Sequence, residues 1–302
     1  MPVHGSAAKV PFYRLVYVCM MFAFWGLLSG VCPVRADNIL REPPIVQYSS
    51  PYSVRLPYEI RELIPDLLEG ERGHRHHQSK ISYQHWYNHT VVGPWGPLPR
   101  EYMPPAIAEG KSAEWKRARV IAAALRFVGY HYRHHYIPDW DPPQGWHTPK
   151  AGGTRHDGKG VDCSNFTSFV YNQALGIGFS SDIHKQAAME GVSIHGEFWG
   201  KDVTIIPRQE SVAQWKSVLK PGDLLFIRPR SGIGISHVVI WLGAWGISSD
   251  NTPLILDSHG ADVRDANKQL IPEGVHIRPF RSGSWYASSA DHAIRVIQDD
   301  KQ

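Results

Sequence analysis

Three short apolar runs late in the chain limit the fold more than any other feature, because each carries polar residues where a strand would begin or end. They are Gly222-Asp223-Leu224-Leu225-Phe226-Ile227, Ser236-His237-Val238-Val239-Ile240-Trp241-Leu242-Gly243 and Pro253-Leu254-Ile255-Leu256-Asp257-Ser258-His259. Their branched and aromatic content and their turn-forming flanks predict strands. Side chains alternate along a strand, so His237, Val239 and Trp241 share one face of the second run, and Ile255, Asp257 and His259 share one face of the third. An antiparallel hairpin turning near Ser248 sets His237 opposite His259, where directly opposed Cβ atoms lie about 4.5–5.5 Å apart. One imidazole can then act as a base and the second can orient it. Asp257 lies on the same face, a pleat further away, and is the alternative orienting group. We favour His259.

A nucleophile for that base lies upstream, in Gly160-Val161-Asp162-Cys163-Ser164-Asn165-Phe166. Asp162 has the chemistry of an N-cap, Phe166, Val170 and Ala174 recur at helical spacing, and Gly176 supplies a stop. Cys163 therefore falls in the first helical turn, where unpaired N–H groups and the positive end of the dipole favour a thiolate. A free cysteine is also often just a small buried hydrophobe, and helix position alone leaves both readings open.

The start of the chain bears on where such a thiol works. Lys9 and Arg14 precede the apolar run 15–32, and Val34-Arg35-Ala36 offers small residues where a signal peptidase reads, so residues 1–36 are expected to be a signal peptide and Asp37 the first mature residue. The competing reading is an uncleaved anchor, since 18 apolar residues sit at the lower edge of what spans a bilayer. Ser29-Gly30-Val31 before Cys32 lacks the pattern of a lipid-attachment site. Loss of this segment removes Cys19 and Cys32 of the three cysteines and leaves Cys163 as the sole thiol, so no disulfide can form within the mature chain. It also removes Lys9, Arg14 and Arg35 from the 32 basic residues, leaving 29 against 28 acidic ones. The sequence pI of 8.9 therefore argues for neither nucleic acid nor an anionic membrane as partner, and the mature chain is expected to carry no integral membrane span.

Residues 37–110 are rich in proline, which interrupts any long element. We expect an arm that packs on or caps the catalytic part, with a linker as the alternative, and short helices over 58–64 and 66–69. The remainder, 111–302, reads as one domain. Ser112 caps a predicted helix whose stripe Ala118, Ile121, Ala122, Leu125 and Val128 ends at Gly129. Further helices are expected over 181–190 and 210–219, and further strands over 274–280 and 292–297. Helices first and strands later indicate an α+β fold with helices packed on a central antiparallel sheet. The histidine clusters at 74–77 and 131–135 lack the separated ligand pairs of a zinc site, and neither 152–160 nor 232–234 completes a phosphate or dinucleotide motif. No metal or organic cofactor is called for.

Taken together, Asp162-Cys163-Ser164, Pro221-Gly222-Asp223-Leu224, His237-Val238-Val239-Ile240 and His259 resemble, in type and order, the motifs of the NlpC family of bacterial cell-wall cysteine peptidases. The resemblance runs over about Ser112 to Ile297. It implies a papain-like fold and an exported enzyme of the periplasm or cell envelope that hydrolyses amide bonds in peptidoglycan stem peptides through Cys163, His237 and His259. The implied bond is most often that between γ-D-glutamate and a diamino acid. Tyr132 matches a tyrosine that lines the family's substrate cleft, although a core aromatic is equally consistent with its surroundings. Asp162 and Ser164 are expected to meet a substrate amine, Asp162 otherwise serving only as the cap. The rivals are a thiol amidase or protease acting on another amide, and an inactive wall-binding module. Two departures from the family pattern stand out: Asn165 replaces the usual glycine after Asp-Cys-Ser, and a long insert, 133–159, separates Tyr132 from the nucleophile.

Overall fold

Ser112 starts a long helix by accepting a hydrogen bond from the Trp115 N–H at 3.2 Å, and α3 runs Ala113–Leu125 from that cap. The apolar stripe predicts this helix but overextends it: Ala118, Ile121 and Ala122 are buried in its packed face, whereas the helix stops at Leu125 and Val128 lies beyond it, exposed. The computed structural model describes residues 48–68, 77–78, 102–132, 140–141, 160–194, 197–198 and 203–300, all within the unit Gln47–Gln302. The expected signal peptide 1–36, His74 and His76, and most of the 133–159 insert lie outside the described residues.

Among the described residues before α3 are two one-turn α-helices, α1 (Ile60–Leu63) and α2 (Pro65–Leu68), the second opened by the proline at its first position. Leu63, Ile64 and Leu67 are buried in the main core. The buried Arg119 of α3 holds this segment through Asp66, at 2.6 Å, and through the carbonyl of Leu63.

α4 (Cys163–Leu175) lies against α3. It ends at Gly176 with φ 70°, and a Cβ there would stand 2.5 Å from the Pro104 nitrogen, so both conformation and space require glycine. After it come α5 (Ile183–Ala187) and α6 (Val212–Val218), capped by Asp182 and Ser211.

Just ahead of α4, the short strands β1 (His131–Tyr132) and β2 (Gly160–Val161) form a parallel pair that sets Tyr132 beside Val161. The main sheet has six antiparallel strands. In chain order they are β3 (Thr204–Ile206), β4 (Leu224–Ile227), β5 (His237–Trp241), β6 (Leu254–His259), β7 (Gly274–Pro279) and β8 (Ala290–Arg295). Order across the sheet is β7-β6-β5-β4-β8-β3. The register of β5 on β6 pairs Ile240 with Leu256 and Trp241 with Ile255, which, extended, turns at Ser248 and brings His237 opposite His259.

Alternation divides the core in two. Leu224, Phe226, Val238, Ile240, Leu254 and Leu256 join α3 and α4 in one cluster. Leu225, Ile227, Val239, Trp241, Ile255 and Ala293 pack on the other side against Trp215, Leu219, Phe280 and Tyr286. Helices packed on an antiparallel sheet make this an α+β fold, as the order of elements in the sequence predicts. His237 opens β5 and so stands at the end of the sheet, where the first turn of α4 meets it.

Candidate active site

Three residues fix the first turn of α4. Asp162, with extended backbone, accepts the N–H of Asn165 at 2.8 Å on Oδ1, an N-cap of the kind worth about 1 kcal/mol. The Asn165 side chain donates to both Asp162 oxygens, at 3.2 and 3.1 Å, and Ser164 Oγ donates to Oδ1 at 3.4 Å. The departure from glycine at 165 thus has a physical role: the amide doubles the cap and orients the carboxylate. Buried Gln186 completes the frame, donating to the Ser164 carbonyl at 3.1 Å and accepting from Thr167 at 2.9 Å.

Cys163 is buried at the helix start and is in no disulfide. His237, also buried, faces it. Burial is the largest influence on the His237 ring and opposes its charge. The charge and hydrogen bond of Cys163, together with the carboxylate of Asp257, outweigh it and hold the imidazole pKa up at about 9. The nucleophile and base expected from the sequence are therefore adjacent and interacting.

The hydrogen bond expected from His259 is made by Asp257 instead. His237 Nε2 lies 2.7 Å from Asp257 Oδ2. A carboxylate only accepts, so Nε2 carries the proton and Nδ1 is left for Cys163. His259 does stand where the register puts it, but the two rings meet edge to face with centroids 4.7 Å apart. Its Nδ1 turns toward the Gly260 carbonyl and Asp262 Oδ1, each at 3.1 Å. The physical reason is length and charge. Directly opposed imidazoles are close enough to touch as rings, whereas the carboxylate on the diagonal reaches the ring nitrogen and is itself held ionised.

That holding is done by residues that sequence reasoning missed. Arg278 of β7, fully buried, donates to Asp257 Oδ1 at 2.6 Å and to the carbonyls of Pro272 at 2.8 Å and Gly274 at 3.1 Å. Buried Tyr286 donates its hydroxyl to Asp257 Oδ2 at 2.8 Å. Burial, the largest influence on Asp257, would raise its pKa, but the Arg278 guanidinium and His237 hold it well below the usual carboxylate range. His259 is shifted the other way, since burial and the charge of His237 both disfavour its protonation. A signal for Arg278 is present in the sequence: it is a lone arginine inside the apolar strand Val275-His276-Ile277-Arg278, on the strand next to Asp257. Tyr286 and Trp285 follow a turn and carry no comparable mark.

The remaining expected site residues also gather here. Tyr132 is half-buried, and its pKa is raised by burial first and then by the charges of Cys163, Asp162 and Asp257. Asp162 and Ser164 are beside the nucleophile, with Asp162 engaged as the cap. Ser258 Oγ donates to the Val161 carbonyl at 2.5 Å, locking β6 to the residue just before the cap. Trp285 closes the far side, its ring centroid 5.5 Å from that of His237 and 5.2 Å from that of His259.

Among the described residues, no group of three or more His, Cys, Asp or Glu side chains is placed to hold a metal ion, and no helix is long and apolar enough to cross a membrane.

The site thus sets a buried cysteine at a helix N-terminus beside a histidine with a raised pKa and a locked carboxylate. No curated protein matches the chain. Among solved structures it is similar to an NlpC/P60 family protein from Bacillus cereus, at 19% identity and TM-score 0.33, covering 59% of this chain and 39% of that one. An NLP/P60 family protein from Staphylococcus aureus, described as similar to a lipoprotein, is 16% identical at TM-score 0.32, with 61% and 42% covered. The peptidoglycan hydrolase RipB from Mycobacterium tuberculosis is 17% identical at TM-score 0.36, with 64% and 69% covered. The chain thus spans about two fifths of the first two of these proteins. The NlpC/P60 family model matches residues 150–287, a span that contains Cys163, His237, Asp257, His259 and Arg278.

Proposed function

We propose that this chain is a thiol hydrolase that cleaves amide bonds in peptidoglycan stem peptides through a covalent acyl-enzyme. The observation that carries the reading is the continuous line Cys163, His237, Asp257, Arg278, in which each member is held by the next. His237 takes the thiol proton on Nδ1, and the thiolate attacks the amide carbonyl. The imidazolium then returns that proton to the leaving amine, and water releases the acyl group by the same route. In this reading the backbone N–H groups of the first turn of α4 receive the tetrahedral oxyanion.

Asp257 is the orienting group in this proposal, keeping the proton on Nε2 and stabilising the imidazolium. His259 flanks the base and, with Trp285, excludes water from it. Tyr132 and Ser164 are proposed to border the substrate, while Asp162 acts chiefly through the helix cap. The domain division at 1–36, 37–110 and 111–302, with export to the periplasm or envelope, belongs to the same proposal, since a stem peptide is met outside the cytoplasm.

The test is incubation of purified murein with the protein and mass spectrometry of the released fragments. New termini within the stem peptide, absent with Cys163→Ala, are expected. Intact murein, or fragments unaffected by that substitution, would exclude the reading and favour a wall-binding module.

A further inference from the structure

A cavity of about 240 Å³ is bordered by Trp285 and Tyr286, which both also contact His237, and carries an excess of positive charge. Its lining includes Arg230, Asp262, Arg264, Arg281, Ser284 and Trp285, three guanidiniums against one carboxylate. Arg230 Nη2 pairs with Asp262 Oδ2 at 3.1 Å, which neutralises one of the three. The other two are anchored to neutral oxygens. Arg264 Nη1 donates to the Lys268 carbonyl at 2.8 Å, and Arg281 donates to the Arg264 carbonyl at 3.1 Å and to the Tyr52 hydroxyl at 3.0 Å. Arg264 is held through one terminal nitrogen and Arg281 through both, in each case by neutral oxygens, and among the described residues neither forms an ion pair, which leaves guanidinium N–H groups and a positive charge for a carboxylate. The Ser284 hydroxyl is occupied as a helix cap, donating to the Arg281 carbonyl at 2.6 Å and accepting from the Ala287 N–H at 3.3 Å.

We propose that this cavity is a substrate subsite that binds a free carboxylate of the peptide being cleaved, with Arg264 and Arg281 as its recognition groups. The inference rests on the hydrolase reading for what the ligand is attached to. Its position follows from Trp285, whose ring lies against both His237 and His259 and also lines the cavity, so the cavity adjoins the base. Asp262 sharpens the selection. It bonds His259 on one side and Arg230 on the other, and it places a negative charge beside any ligand group that enters off-centre.

The probes are a synthetic stem peptide with its carboxylates free and a set of the same peptide with each carboxylate converted singly to the amide. With wild type, one amidation is expected to lower kcat/KM by at least about tenfold, the size of a charge-assisted pair. Arg264→Gln and Arg281→Gln should raise KM for the free acid with kcat held. They should leave that amidated peptide unchanged, and Arg264→Lys should restore part of the preference. Indifference of wild type to every amidation, or variants that slow acid and amide alike, would overturn the subsite. Calorimetry with Cys163→Ala separates this from the hydrolase reading, because binding is measured without turnover. Acid-selective binding that disappears when Arg264→Gln is added supports the subsite even if no peptide is cleaved. Equal or absent binding of acid and amide overturns it even if cleavage occurs.

Discussion

His237 and Asp257 are joined on the diagonal of an antiparallel strand pair, Nε2 to Oδ2 at 2.7 Å, while the residue directly across from His237 touches only its ring. The diagonal is longer between Cα atoms than the direct crossing, and a carboxylate two atoms beyond Cβ spans it. Asp257→Asn should therefore lower kcat by about a hundredfold to ten-thousandfold, as loss of the tautomer-fixing carboxylate does in triads of this logic. His259→Ala, which leaves that bond intact, should cost less than about tenfold by the same logic. Steady-state kinetics on one stem peptide distinguishes the two, and the reverse order of effects would restore His259 as the orienting group.

Cys163→Ala and His237→Ala should each abolish turnover while the protein stays folded. His237 belongs to neither core cluster, and Cys163, at the start of α4 in one of them, loses only its sulfur on replacement by alanine. Circular dichroism beside the murein assay reads both parts. Near wild-type turnover in either variant would remove that residue from the chemistry.

Elements with strong local signals are legible in the sequence itself. Ser112 and Asp162 act as caps, Gly176 ends its helix, and the turn at Ser248 lies where the strand pattern puts it. The site is legible as far as local periodicity reaches, which covers the nucleophile, the base and the shared face of Asp257 and His259. What decides between those last two is not local. Arg278, on a third strand, and Tyr286, in a one-turn helix, both aim at Asp257, and only tertiary packing brings them there. Register alone favours the opposed pair. A buried guanidinium that must have a carboxylate reverses the choice.

That guanidinium yields a stability prediction. Arg278 and Asp257 are both fully buried, and removing one member of such a pair strands the other as an uncompensated charge, a loss of about 3–5 kcal/mol. Arg278→Leu should accordingly lower the urea midpoint sharply, with Asp257 taking up a proton. The double variant Arg278→Leu/Asp257→Leu should recover part of the loss, since neither charge then remains. A single variant as stable as wild type would show that the pair contributes nothing to the fold.

Export can be checked on the native protein. If residues 1–36 are removed, the species isolated from the envelope begins at Asp37 and carries no lipid on Cys32. Intact-mass measurement reads this directly. A mass that retains residues 15–32 would support the membrane anchor instead.

The pH dependence follows from the two opposite shifts in the site. His237 has a pKa raised from 6.5 to about 9, so its contribution to stability is full below about 6.5 and is lost as pH climbs through 9. Asp257 is shifted down from 3.8, so its contribution is present above that value and is lost only as pH falls through its folded pKa. Stability should therefore be greatest between these two windows, and the alkaline decline should be absent in His237→Ala. Activity is expected to fall along the same alkaline limb, because the imidazolium that donates to the leaving amine disappears there. NMR titration of the His237 ring gives the direct reading. Cys163 is the largest influence raising that pKa, so the ring in Cys163→Ala should titrate below the wild-type value. A ring that titrated near 6.5 in both proteins would show that thiol and imidazole are not coupled, and the charge-paired mechanism would fall with it.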